Sequence, residues 1–161
     1  MRIAIGSDHA GYKLKTAVGK FLKDNGHRVA DLGAHSERPS DYPDYARKVA
    51  LAVASGKAER GVVVCGSGVG ASVAANKVPG VRAALCHDVF TARQGVEDDA
   101  VNVLCLGERV IGTGLALDIA RAWMKARFSG AARHVRRLDK VTAIEKEFSR
   151  PAAPAAKSLG R

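Results

Sequence analysis

The stretch Gly61–Asn76, GVVVCGSGVGASVAAN, narrows the choice of fold more than any other part of the chain. Val62, Val63 and Val64 are a β-branched run, the mark of a buried strand. Gly66, Gly68 and Gly70 follow at alternate positions, with Val69 between the last two, and Ala71 to Asn76 reads as the first turns of a helix. A strand that passes through a glycine-rich turn into a helix aims backbone N–H groups at an anion or carbonyl beyond the strand end. Cys65 is the last residue before the turn, where an amide-lined mouth favours thiolate. One short segment can then carry a base or nucleophile together with donors for a developing oxyanion. The spacing is not a dinucleotide fingerprint, because the third glycine comes too early for G-x-G-x-x-G, and no Lys-Ser/Thr follows as in a P-loop. Glycines there would also serve simply to turn the chain, and Cys65 as a small buried residue.

The rest of the chain repeats the alternation of short strand and helix. Strands are expected at Arg2–Gly6, His27–Leu32, Val62–Val64, Val81–Cys86 and Val101–Leu106. Helices are expected over Tyr12–Asn25, Asp44–Ser55, from Ala71, over Thr91–Val96, Gly112–Phe128 and Arg133–Phe148. In the first helix Leu14, Ala17, Val18, Phe21 and Leu22 form the apolar stripe, and Lys13, Lys15, Lys20 and Lys23 are placed on the wet side. In the fifth, Leu115, Ile119, Ala122 and Trp123 are expected to face inward. The segment Ala34–Pro43 is polar and turn-rich, with Pro39 and Pro43 as breakers, and loops of that length in compact domains are often functional. Five short apolar strands separated by helices predict an α/β, Rossmann-like three-layer sandwich with a five-stranded parallel sheet. Ligands of such sheets sit beyond the strand C-termini. That rule lines up Asp8-His9, Cys65-Gly66-Ser67 and the acidic Glu97-Asp98-Asp99 before the fifth strand on one rim. One domain is expected over residues 1–148, with 149–161 as a Pro/Ala-rich tail.

Charge and cysteine content remove several alternatives. The formal net charge is +10, concentrated late in the chain, yet aromatics make up only 5% and no stacking ladder or reading module is present, so nucleic acid is not the expected partner. No apolar run is long enough to span a bilayer, and Asp8 and His9 interrupt the N-terminus before a signal-peptide core could form. A cytoplasmic protein is the default expectation. Cys65, Cys86 and Cys105 are odd in number and lack metal-ligand spacing, so free thiols and no metal are expected, with Cys86 and Cys105 in the core.

Several segments together carry a specific resemblance: IAIGSDHAGYKLK at the start, SDYPDYA, CGSGVGASVAANKVPGVRAALC, NVLCLGERVIG, and RHVRRLDKVTAIE near the end. In this order and spacing they resemble ribose-5-phosphate isomerase B, within the sugar-phosphate isomerase family that includes the galactose-6-phosphate isomerase subunits. The resemblance implies a cofactor-free, metal-independent exchange of aldose and ketose phosphates through a cis-enediol(ate). It places Cys65 as the proton-transfer base, the amides of Gly66, Gly68, Val69 and Gly70 around the enediolate oxygen, and Ser67 as an aid to proton movement between O1 and O2. Asp8, His9 and the ring of Tyr42 fall on substrate-contacting positions. Arg133 and Arg137 fall on phosphate ligands delivered across a homodimer interface, with Arg109 assisting, so the active site would be composite; dimers pairing into a tetramer is a further option. Read from the residues alone, Asp8 serves equally as a helix cap, His9 as a structural group and Tyr42 as a loop-packing ring.

One departure bears on substrate. Where such isomerases carry His-Asn-Asp-x-Asn, this chain has Asp98-Asp99-Ala100-Val101-Asn102. The histidine credited with opening the furanose ring falls on Asp98, which makes Asp98 a catalytic candidate. The following Asn falls on Asp99, which makes Asp99 a candidate substrate contact. A carboxyl near its reference pKa is mostly ionised at neutral pH and a poor acid. A tetrose 4-phosphate, whose O4 is esterified, has no furanose to open. Ribose 5-phosphate is the first expectation, and a tetrulose 4-phosphate the alternative.

Overall fold

The structure, a computed structural model, describes residues 1–149. Residues 150–161, almost all of the expected tail, lie outside the described residues. The strands are β1 (Arg2–Ser7), β2 (Arg28–Asp31), β3 (Arg60–Cys65), β4 (Ala83–Leu85) and β5 (Val103–Gly107). The helices are α1 (Tyr12–Asp24), α2 (Tyr42–Ala54), α3 (Val69–Ala75), α4 (Val89–Asp99), α5 (Thr113–Lys125) and α6 (Ala132–Phe148). The strands form one sheet in the order β2-β1-β3-β5-β4, every pair parallel. This is the α/β sandwich expected from the strand–helix alternation.

Strand residues divide by parity, as a period of two requires. Ile3, Ile5, Val62, Val64, Leu104 and Leu106 pack with Leu14, Val18 and Leu22 of α1, Val96 of α4 and Ile119 and Trp123 of α5. Ala4, Val63, Cys65, Val103 and Cys105 pack on the other face with Ala46, Val49 and Val53 of α2 and Ala71 and Ala75 of α3. Cys86 and Cys105 are core residues, as expected. Burial pushes the Cys86 thiol up, and the Cys105 thiol much further.

Four expectations are corrected. Lys15 is not on the wet side. It is 1% exposed, and its Nζ donates to both carboxylate oxygens of Asp31 (2.8 and 2.7 Å) and to the Ala34 carbonyl (2.7 Å). A buried ammonium is tolerated only with such partners, and Asp31 lies on another element, so sequence periodicity could not supply it. Second, α2 starts at Tyr42 rather than Asp44, because Pro43 sits in its first turn, where proline's fixed φ fits and its missing N–H costs nothing. Third, Leu115 is 42% exposed; its neighbour Ala116 faces inward instead. Fourth, α4 runs through Glu97, Asp98 and Asp99 and stops at Ala100, which adopts the left-handed conformation at φ 52°.

The chain leaves β1 toward β2 on one side, while β3 lies on the other. The connections from the ends of β1 and β3 therefore diverge and leave a crevice between them.

Candidate active site

Three turns meet at this crevice. After β1, the Asp8 carboxylate accepts from the Gly11 N–H (3.1 Å) and caps a 3₁₀ turn over His9–Gly11. Asp8 is thus a cap and also lines the pocket, so capping does not take it away from the cavity. The turn lies directly on β3, since a side chain on Gly11 would fall 2.6 Å from the Val64 carbonyl. The His9 amide donates to Ser40 Oγ, and its Nδ1 lies 3.1 Å from both the carbonyl and the amide of Ser40. His9 therefore fixes the end of the polar loop that leads into α2.

After β3, Gly68 takes a left-handed conformation (φ 78°) that a residue with a side chain adopts only under strain. This turns its N–H onto the Cys65 sulfur, 3.1 Å away. The Val69 N–H donates to Ser67 Oγ (3.3 Å). The first backbone bond of α3 runs from the Ser72 N–H to the Gly68 carbonyl, so the amides of Gly70 and Ala71 precede it and are not used by the helix. The Tyr42 ring packs on Gly70, where a methyl would sit 2.7 Å from its Cζ.

After β5, the amides of Glu108 and Arg109 donate to the carbonyls of Cys65 and Gly66, both at 3.0 Å. The Gly107 amide donates to His87 Nε2 (3.1 Å), and the Glu108 carboxylate accepts from the Leu14 amide (2.9 Å). Ser40, His87 and Glu108 thus hold the site, yet none had a spacing signal, because each acts through backbone groups distant in sequence.

These turns enclose a cavity of about 360 Å³ lined by Asp8, His9, Tyr42, Cys65, Ser67 and Arg109, with Gly66 and Gly70 in its wall. Cys65 is 4% exposed, but its sulfur faces the glycine loop rather than turning into the apolar interior. Burial pushes the Asp8 carboxyl above its ordinary value, against the opposing pull of His9, the amides of Ala10 and Gly11, and Arg109.

Six expected site residues do not line this cavity within one chain: Gly68 and Val69 reach it only through amides that donate to Cys65 Sγ and Ser67 Oγ, and Asp98, Asp99, Arg133 and Arg137 lie elsewhere. Asp98 is not on a loop at the rim; it occupies the last turn of α4, accepts from Gln94 Nε2 (2.8 Å) and lies 3.3 Å from His134 Nδ1. Asp99 lines a separate groove of about 920 Å³ beside Val141 and Thr142 of α6. The correction has one cause: an extended helix turns these carboxylates with its own period rather than presenting them in a loop. Arg133 and Arg137 stand exposed one turn apart on α6.

Residues 3–141 match the family model described as Ribose/Galactose Isomerase. The chain belongs to this family. Among its relatives, the ribose-5-phosphate isomerase B of Escherichia coli (strain K12) is 44% identical over 89% of this chain and 96% of its own length. The D-erythrulose-4-phosphate isomerase of Pectobacterium atrosepticum is 42% identical over 81% of this chain and 86% of its own. The solved ribose-5-phosphate isomerase B of Clostridium thermocellum superposes with a TM-score of 0.91 at 52% identity, covering 92% of this chain and all of that one. Membership in the ribose/galactose isomerase family agrees with the segments that carried the resemblance and with the sheet order.

Proposed function

We propose that the Cys65 cavity interconverts ribose 5-phosphate and ribulose 5-phosphate. That the chain is an isomerase of phosphorylated sugars follows from its family; the sugar and the steps are our reading. The Cys65 thiolate removes the proton from C2 of the open aldose and returns it to C1. The electron pair of the broken C–H bond forms the C1–C2 double bond of a cis-enediolate. Amides of the Gly66–Gly70 loop hold the negative oxygen, and Ser67 passes the hydroxyl proton from O2 to O1. Such preorganised donors at a developing charge are often the largest single contribution to a rate. The observation that carries this reading is the Gly68 N–H on the Cys65 sulfur inside a cavity that also holds Ser67 and Arg109.

Asp8 and His9 contact the sugar, Tyr42 forms one wall, and Arg109 faces the phosphate end. Arg133 and Arg137 come from a second copy of the chain. Their exposure on α6, beside the exposed apolar Val135, Val141 and Ile144, supports a face that a partner covers. A phosphate gains from paired guanidinium groups, and binding it remotely positions the reacting carbons.

A second reading has a specific observation behind it. Asp98 stands where the resemblance places a ring-opening histidine, and its carboxylate is engaged by Gln94 and His134. A tetrulose 4-phosphate needs no ring opening, and two relatives are named for D-erythrulose 4-phosphate. Side-by-side kcat/KM on ribose 5-phosphate and D-erythrulose 4-phosphate decides. Preference for the pentose supports the first reading, preference for the tetrose replaces it, and turnover of neither with Cys65 intact sinks both.

A further inference from the structure

The start of α6 holds a buried side chain that the proposed reaction does not use. His134 is 3% exposed, between exposed Arg133 and exposed Val135. Arg133 donates its Nε–H to His134 Nε2 at 2.9 Å. A guanidinium has no lone pair to offer and keeps its protons, so Nε2 is the acceptor and the imidazole proton is on Nδ1. Nδ1 faces two acceptors, Ser129 Oγ at 2.7 Å and Asp98 Oδ1 at 3.3 Å. Both are themselves held: Asp98 by Gln94 Nε2, and Ser129 by its amide on the Glu97 carbonyl (2.9 Å). The last turn of α4 and the loop before α6 thus select one tautomer of one imidazole.

We infer that His134 is a positioning residue for Arg133, with Asp98 and Ser129 setting its tautomer. Once Nε is committed to His134, the guanidinium plane is fixed and its two terminal nitrogens remain as a fork for a phosphate. Both ring nitrogens are engaged, so His134 orients and does not transfer protons. Asp98, a catalytic candidate by its place in the sequence, acts here through the imidazole. This inference rests on the reading of Arg133 as a phosphate ligand and adds what holds that ligand in place.

The test uses His134→Gln, His134→Asn and Arg133→Ala in the full chain. It measures kcat and KM on ribose 5-phosphate, and the rise in melting temperature given by inorganic phosphate. A glutamine amide oxygen reaches the place of Nε2, whereas asparagine mimics only Nδ1. His134→Asn is expected to raise KM at least fivefold and to remove most of the phosphate-induced stabilisation, with kcat within twofold. His134→Gln is expected to keep KM within twofold. Equal behaviour of the two variants, or a fall in kcat at unchanged KM, overturns the positioning role. An unchanged KM in Arg133→Ala overturns the phosphate reading itself, and the inference with it. Should both His134 variants fail to fold, Ser129→Ala, which removes one acceptor of Nδ1–H, is expected to raise KM two- to threefold, and an unchanged KM overturns the inference.

Discussion

The Gly68 amide donates to the Cys65 sulfur across 3.1 Å, closing the four-residue turn Cys65–Gly68 at the end of β3. The contact exists because Gly68 is left-handed and because β3 parity turns Cys65 toward α2 and α3 at the strand end. A donor fixed on sulfur holds the Cys65 side chain in one place at the mouth of the cavity.

Cys65→Ser keeps an acceptor for this amide but replaces the proposed sulfur base by a hydroxyl far less able to take up a proton. Turnover is expected to fall by about 10²- to 10⁴-fold, the range for losing a positioned general base. Exchange of the substrate C2 proton with deuterated solvent is expected to fall in parallel. Exchange at the wild-type rate would remove Cys65 from the reaction.

Gly107 carries the glycine loop on its back, since a side chain there would meet the Ser67 carbonyl carbon and oxygen at 2.6 Å. Gly107→Ala is expected to lower kcat at least tenfold and to cost about 1–3 kcal/mol of stability, as overpacking against backbone does. Gly80 is the control. It has φ 82°, but a methyl added there would have nothing within 4 Å, so Gly80→Ala costs about 1 kcal/mol of strain and leaves kcat unchanged. Urea melts and steady-state assays on both variants check the contrast.

Gly70→Ala would drive a methyl against the Tyr42 ring, 2.7 Å from its Cζ. The ring must move, and KM is expected to rise about tenfold, the ~1.4 kcal/mol cost of a modest steric shift. Tyr42→Ala added to Gly70→Ala relieves that clash, so the pair is expected to show less than the summed penalty in a double-mutant cycle. Strict additivity would mean that the ring does not form that wall.

Lys15 and Asp31 are unequal partners, with side chains 1% and 38% exposed. Asp31→Ala leaves a buried ammonium without its carboxylate and is expected to cost about 2 kcal/mol, below the range for fully buried pairs because Asp31 is partly solvated. Lys15→Met is expected to cost about 1 kcal/mol, since Asp31 can turn to water. Burial alone would raise the Asp31 carboxyl, but the Lys15 hydrogen bond, the Gly33 amide and the charges of Lys15 and His35 outweigh it and hold it below the ordinary 3.8. A depressed folded pKa stabilises above the unfolded value and is lost as pH falls through the folded one. The advantage of wild type over Asp31→Asn is therefore expected to hold from neutral pH down to about 4 and to shrink below it. Denaturant midpoints measured across that range check the sign.

Much of the cavity rim was legible in one dimension. The β-branched run, the glycines and Cys65 occupy consecutive positions, so local chemistry alone predicts strand, turn and helix there. Asp8 and His9 were legible for the same reason, being the residues next to the β1 end. Tyr42 and Arg109 rested on the resemblance, and the chain's own geometry brings them to the cavity. The acidic segment misled, because Asp98 and Asp99 read as a loop yet complete α4.

Periodicity and the order of strands and helices, then, were enough for a five-stranded parallel sheet, its two apolar faces and the alignment of the turns after β1 and β3 at one edge, since each depends on neighbours in sequence. Tertiary structure alone decided that Lys15 is buried against Asp31, that Gly107 supports Ser67, and that Asp98 meets His134 rather than the Cys65 cavity. Those contacts join residues far apart in the chain, and a buried charge, a backbone contact or a tautomer takes its identity from the group that packing sets opposite it.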